Sequence, residues 1–182
     1  MAGITVLGVG NPIMADDGVG LVLLSALAEV RMAPWIEYVD GGTGGMELIP
    51  VVQDAECLLV LDAVAGEAPG SVVHLTGDQL PRLLSSKLSP HQVGLLDVLS
   101  SARLLGREPL EVEVVGVVPE RVELGLGLSP VVAAAVPEAL AKACAVIDGW
   151  WSRGLTTVEM IPCFGPFWAP KSGNRVDDSR DG

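Results

Sequence analysis

Three polar side chains stand at positions where strands end or helices begin. Asp17 follows a glycine-containing turn, Asp62 closes a short apolar run, and His91 comes just after a proline. In an open α/β sheet such positions collect along the carboxyl edge, where ligands bind. Two carboxylates and one imidazole are a suitable three-ligand set for a borderline metal such as zinc or nickel. The sequence therefore predicts a metal-directed site built from these three side chains.

Each candidate also has a simpler interpretation. Asp16 and Asp17 can cap a helix, because a carboxylate suits a helix N-terminus, although one of the two is enough. Asp62 can be a helix cap or a turn former. A lone histidine is often incidental, and His74 lies inside a strand-like segment as a packed or edge residue. His91 is different, because a histidine gains nothing from capping a helix start. Together the three positions indicate a site more strongly than any one of them does.

The elements that must position these residues alternate along the chain. Short apolar segments rich in β-branched residues predict strands at 4–9, 36–39, 57–61, 71–75 and 111–118. Longer apolar stretches predict helices at 18–30, 46–52, 90–105 and 131–150, with Pro137 marking a kink or a restart in the last of them. Strands that alternate with helices of this length predict an α/β fold with a mainly parallel sheet.

The length and composition fit one cytoplasmic domain. The chain has 182 residues, of which 49% are hydrophobic, and this is enough for a two-sided core. Pro137 and three charged residues interrupt the most apolar stretch, residues 131–151, so we expect no membrane insertion. No cationic segment precedes the first apolar run, which argues against a signal peptide. The cysteines are scattered singly and form no disulfide framework, which favours a reducing compartment.

The charge of the chain restricts its partners. A formal net charge of −12 disfavours nucleic-acid binding, which needs Lys and Arg at the phosphates. The acidic surface either maintains solubility or meets a partner with a basic patch. We expect residues 1–155 to form the single domain. Residues 156–182 are rich in proline and then polar, and they are predicted to be a flexible tail or one ordered by a partner.

Three other enzyme classes fit the sequence poorly. The turn at Gly8 and Gly10 suggests a dinucleotide-binding motif, but that fingerprint needs a glycine where this chain has Ile13. Asp16 and Asp17 would also repel a pyrophosphate at the helix start, so no nucleotide cofactor is expected. The sequence contains neither the G-x-S-x-G turn of serine hydrolases nor the H-E-x-x-H motif of zinc proteases.

Four motifs, in order, carry a resemblance to a known family. They are Val6-Leu-Gly-Val-Gly-Asn11 with Asp16-Asp17-Gly18, Asp40-Gly-Gly-Thr43 with Gly45-Met46-Glu47-Leu48, Leu61-Asp62-Ala63, and Ser89-Pro90-His91-Gln92-Val93-Gly94. The joint pattern, over about residues 4–150, resembles the maturation endopeptidases of nickel–iron hydrogenases. The resemblance implies a three-layer α/β fold, in which a twisted sheet of about five strands lies between helices.

The resemblance also implies roles for particular residues. Asp17, Asp62 and His91 would be the metal ligands and the catalytic residues. The turn after the second strand would line the same cleft and bind substrate, through Asp40, Gly41, Gly42 and Thr43. Family members often have glutamate at the position of Asp17, so Asp16 stays open as an alternative ligand.

The implied function is metal-dependent proteolysis. The protein would remove the C-terminal extension of the hydrogenase large-subunit precursor once nickel has been inserted. The nickel would come with the precursor rather than being bound permanently. A non-catalytic alternative also stays open, in which the protein is a nickel-sensing chaperone or binding module for the same precursor.

Overall fold

A computed structural model of the protein describes residues 3–79 and 90–155. Within these ranges the strands and helices are β1 (Ile4–Val9), α1 (Val19–Val30), β2 (Ile36–Gly42), α2 (Ile49–Asp54), β3 (Cys57–Ala63), β4 (Val72–Thr76), α3 (Pro90–Leu104), β5 (Glu111–Val117) and α4 (Pro130–Ser152). One-turn 3₁₀ helices precede α1 and α2, at Ala15–Gly18 and Met46–Leu48, and another follows β4 at Gly77–Gln79. Residues 156–182, the predicted tail, lie outside the described residues.

The strands form one five-stranded sheet in the order β2-β1-β3-β5-β4. β1 pairs in parallel with β2 and β3, and β3 pairs in parallel with β5. β4 is the exception, because it runs antiparallel to β5 at the edge. Every residue of β1 and β3 is buried, as expected for parallel strands covered on both faces. The predicted mainly parallel sheet is confirmed.

Helices cover both faces of the sheet. One core cluster joins the sheet to α1 and α4 and includes Leu23, Leu27, Ile147 and Trp150, all with no exposed surface. The second cluster joins the opposite face to α2 and α3 through side chains such as Val98. The fold therefore has the predicted three layers.

α4 differs from its prediction at one point. It runs without interruption from Pro130 to Ser152, so a restart at Pro137 is wrong. A proline removes one hydrogen bond of the helix, and the small buried side chains on either side, Ala135 and Ala139, keep this helix packed on the sheet. By length and composition alone α4 could cross a membrane, but its buried side chains belong to the core.

Two strands are longer than predicted, and both extensions reach the candidate site. β2 continues past Val39, because Asp40 pairs with Gly8 and Gly42 pairs with Val9, with a register shift between them. β3 continues past its apolar run, because Asp62 pairs with Gly116 of β5. Asp40, Gly41, Gly42 and Asp62 therefore belong to the carboxyl ends of strands rather than to free loops.

Candidate active site

The turn between β1 and α1 is folded tightly on itself, and glycine makes this possible. Gly10 has a φ of +138°, and a Cβ atom at this position would lie 2.0 Å from the carbonyl oxygen of Asp17. No other residue fits there, because the backbone is in the left-handed region and the space is already filled. Asp17 is thereby fixed above the end of β1.

Asp17 is buried, with 4% of its surface exposed. Its Oδ2 atom accepts a hydrogen bond of 3.0 Å from the backbone N–H of Asn11. The 3₁₀ turn that carries it packs against β3, the strand next to β1. The structure thus holds this carboxylate in one orientation at the carboxyl edge of the two central strands.

Asp16 is completely buried and binds a distant part of the chain. Its Oδ2 accepts the backbone N–H groups of Glu120 and Arg121, both at 3.0 Å, and the Ser129 hydroxyl at 2.8 Å. Its Oδ1 accepts the Ser129 N–H at 2.5 Å. We call residues 120–128 the strap. Asp16 is hydrogen-bonded to the first two residues of the strap and to Ser129, the residue that follows it, so that both ends of the strap are held. These four hydrogen bonds occupy both oxygens of Asp16.

Opposing effects act on the pKa of Asp16. Burial raises the pKa of Asp16. The hydrogen bonds from Ser129, Arg121 and Glu120 together lower it by more than burial raises it, so the pKa lies below its usual range. The carboxylate is therefore charged in the folded protein at neutral pH. The helix-cap interpretation of the two aspartates is wrong, because the N-cap of α1 is Gly18 and no side chain caps it.

Asp62 lies in β3 and is also buried, at 3% exposure. Its Oδ1 accepts the N–H of Ala63 at 2.8 Å. It follows Leu61, whose carbonyl oxygen touches α1 so closely that a Cβ atom on Gly20 would lie 2.3 Å away. Gly20 therefore lets α1 and its preceding turn lie directly over the ends of β1 and β3, and this brings Asp17 and Asp62 to the same edge.

The turn at 40–43 reaches the same edge. The N–H of Gly10 donates to the carbonyl oxygen of Gly42 at 2.8 Å, which joins this turn to the one that carries Asp17. The exposed Asp40 accepts the Gly42 N–H at 2.9 Å, while Gly41 is buried and Thr43 is exposed. Asp40, Gly41 and Gly42 are thus next to the end of β1 and the turn that follows it, and Thr43 comes directly after them in the chain.

His91 is the second residue of α3, and its side chain lies outside the described part of the structure. The direction in which α3 runs along the sheet follows from the position of its last turn. Leu110, just before β5, donates to the carbonyl of Glu56 at the amino edge of the sheet. A helix of 15 residues spans roughly 22 Å. Because α3 packs along the sheet and ends near the amino edge, its first turn lies towards the carboxyl edge, where Asp17 and Asp62 are.

Among the side chains that the structure describes, no three His, Cys, Asp or Glu residues form a group able to hold a metal ion. Asp17 and Asp62 supply two of the predicted ligands at one edge. The third predicted ligand is His91, whose side chain lies outside the described residues. Carboxylate and imidazole ligands together suit a borderline divalent metal.

The second histidine, His74, belongs to a different cluster. It lies in the edge strand β4, as predicted, and its Nε2 is 2.5 Å from Oε2 of the buried Glu113. Arg153 lies 3.8 Å from the same carboxylate and 3.4 Å from Glu111. A cavity of about 500 Å³ lies beside this group and is also lined by Lys142.

Sequence analysis missed the strap and Ser129. One signal was available, because Val122, Leu124 and Leu126 alternate with polar or glycine positions in the way an extended segment does. The hydrogen bonds of Glu120, Arg121 and Ser129 to Asp16 could not be predicted, because more than 100 residues separate these partners from Asp16.

Known proteins are similar to this chain in sequence and in fold. The family model for HycI, a hydrogenase maturation protease, matches residues 23–146. The hydrogenase 2 maturation protease of Escherichia coli is 40% identical over 147 residues, which are 79% of this chain and 90% of that protein. The hydrogenase expression/formation protein HupD of Rhodobacter capsulatus is 36% identical over 151 residues, covering 81% of this chain and 72% of that protein. The structure is similar to that of the hydrogenase maturating endopeptidase HybD from E. coli, with a TM-score of 0.75 at 38% identity over 83% of this chain and 93% of the other.

Proposed function

The chain belongs to the hydrogenase maturation protease family, and we propose that it removes the C-terminal extension of a nickel-loaded [NiFe]-hydrogenase large-subunit precursor. The E. coli relative is a hydrogenase 2 maturation protease, and the similar structure is that of a hydrogenase maturating endopeptidase. The chain covers 90% of the E. coli protease and 93% of the HybD chain, so the comparison includes nearly the whole of those proteins.

In this proposal Asp17, Asp62 and His91 contact nickel that the precursor already holds through its thiolates. The burial of two carboxylates at neighbouring strand ends supports the assignment. The four hydrogen bonds of Asp16 favour Asp17 as the ligand, because they already occupy both oxygens of Asp16. The protease would then act only on a loaded precursor, since an empty one lacks the atom that these side chains bind.

Each group of the site has a separate task. Nickel, when present, polarises the scissile carbonyl or lowers the pKa of an attacking water. Asp17 and Asp62 are oriented by the backbone N–H groups of Asn11 and Ala63, and one of the two takes the proton as general base. The turn that contains Asp40, Gly41, Gly42 and Thr43 holds the precursor segment beside the cut bond.

The setting of the reaction follows from the same proposal. The partner is the large-subunit precursor, and nickel arrives with it. The protein acts in the cytoplasm, without a nucleotide cofactor, nucleic acid or membrane insertion. The net charge of −12 and the core position of α4 support this setting.

The decisive experiment is intact-mass analysis of a large-subunit precursor after incubation with the protein. The precursor is supplied nickel-loaded and nickel-free, and Asp62→Asn serves as the matched inactive control. We expect loss of a C-terminal peptide only from the loaded precursor and only with the wild-type protein. Binding without shortening would support the chaperone alternative, and equal shortening of both precursors would remove nickel as the signal.

A further inference from the structure

Three apolar side chains of the strap are exposed to solvent. Leu124 and Leu126 are 81% and 82% exposed, and Val122 is 40% exposed. They occupy alternate positions around Gly125, the residue that pairs with Met14, and the backbone bends on both sides of it. Single exposed leucines are ordinary on a protein surface, whereas three apolar side chains at this spacing form a patch.

The strap is fixed to the turn that precedes α1. Gly125 donates its N–H to the carbonyl of Ile13 at 3.0 Å and accepts the N–H of Ala15 at 2.9 Å. Asp16 holds the two ends of the strap through four further hydrogen bonds. A surface that is already ordered loses little conformational entropy when a partner binds.

The patch is continuous with the proposed active site. The strap pairs with residues 13–15, and Asp17 follows two residues later in the same turn. Ile13 is itself 53% exposed and extends the apolar surface towards the site. A peptide that reaches Asp17 from this side therefore passes over the strap.

The strap can bind a partner mainly through apolar contacts. Its cation and one of its acidic residues, Arg121 and Glu123, approach each other at 3.8 Å, so their charges partly compensate. Arg121 also uses its backbone N–H for Asp16. The three apolar side chains are thus the main surface that the strap itself presents to a partner.

From these observations we infer that the strap is the docking surface for an extended, apolar segment of the large-subunit precursor, next to the bond that is cut. The inference rests on the proposed function, and it names the part of the protein that recognises the substrate chain rather than its nickel. Burial of two leucines and a valine against the partner would supply the affinity.

The test compares two double variants of the full chain. Leu124→Ser with Leu126→Ser alters the strap, and Leu104→Ser with Leu110→Ser is the matched control. The control leucines are 88% and 71% exposed and lie at the opposite, amino edge of the sheet. For the nickel-loaded precursor we expect the strap variant to raise KM by about ten- to hundred-fold and the control to leave KM unchanged. Both variants should keep the wild-type Tm, because all four side chains lie in solvent.

The dissociation constant of the precursor, measured in parallel, separates this inference from the proposed function. If the wild-type protein binds the precursor without cutting it, and only the strap variant loses affinity, the strap inference is supported and the protease assignment is wrong. If the wild type cuts and the strap variant has an unchanged KM, the strap inference is overturned. An unchanged KM with a lowered Tm would show that another part of the chain covers the strap. A wild-type dimer that the strap variant dissociates, again with unchanged KM, would make the strap a self-interface.

Discussion

The protein contains two sets of acidic and histidine residues, and they are built differently. At the carboxyl edge, Asp17 and Asp62 accept hydrogen bonds from neutral backbone N–H groups. On the α4 side of the sheet, Glu113 contacts His74 and lies near the Arg153 guanidinium. Backbone donors orient a carboxylate without neutralising it, whereas a cation offsets its charge. The comparison teaches that burial alone does not identify a candidate ligand, because Glu113 is also buried and belongs to an ion pair with Arg153.

Replacing each histidine in turn is the most direct test of the difference between the two sets of residues. His91→Ala should slow processing of the nickel-loaded precursor by about 10³-fold, because it removes a group proposed to contact the metal. His74→Ala should change the rate by no more than about threefold, because its cluster lies away from the carboxyl edge. The measurement is the rate of mass loss of the precursor, with Tm as the check on folding. Equal loss in both variants would contradict the separation of the two sets.

The two adjacent aspartates test the same contrast within a single turn. Asp17→Asn should abolish processing but keep an oxygen for the Asn11 N–H, so its free energy of unfolding should change by less than about 1.5 kcal/mol. Asp16→Asn should lower the free energy of unfolding by about 2–4 kcal/mol, because an amide NH₂ would face N–H donors of the strap. Urea unfolding and the processing assay measure the two effects. If Asp16→Asn abolished processing at full stability while Asp17→Asn kept activity, Asp16 would be the ligand.

Low pH should remove the stabilisation that the charged Asp16 side chain gives to the folded protein. Its pKa is lowered in the folded protein, so its stabilisation is fully present above the pKa of an unfolded aspartate and is lost as the pH falls through the folded value. The difference in unfolding free energy between wild type and Asp16→Asn should therefore be constant near neutral pH and shrink below about pH 4. Urea unfolding at several pH values measures it. A difference that already shrinks near neutral pH would contradict the lowered pKa.

The smallest effect is expected on the other side of the sheet. Glu113→Gln should cost about 1 kcal/mol or less, because the His74 side chain is 31% exposed and Arg153 is 50% exposed, so that water screens both partners. The amide can still bond the His74 ring, and processing should continue at the wild-type rate. Urea unfolding at low and high salt measures the cost. A loss of processing in this variant would indicate that the cluster serves the reaction.

The sequence predicted the fold well where local patterns decide it. β1 is correct to the residue, because a short apolar run between glycines has one interpretation. β2 was predicted too short, because glycines indicate a turn, and only pairing with β1 shows that Gly42 continues the strand. The helix through Pro137 was uncertain for a similar reason, since packing on the sheet is not a local property.

The candidate site was predictable in part. The sequence placed Asp17 in the turn after the first strand and Asp62 at the end of the third, and parallel pairing brings such positions to one edge. It could not tell Asp16 from Asp17, because both suit a helix start and their difference lies in the distant Ser129 and the strap. The role of His91 as a ligand remains a prediction, since its side chain lies outside the described residues.

The attachment of the strap to Asp16 has a consequence for how this part of the protein opens. The amide proton of Gly125 can exchange with solvent only when its bond to Ile13 breaks, and the amide of Ala15 depends on Gly125 in return. Exchange at the two positions should therefore follow one opening event, shared by the docking surface and the turn that carries Asp17. Loss of the hydrogen bonds that Asp16 accepts would therefore loosen the strap and this turn together.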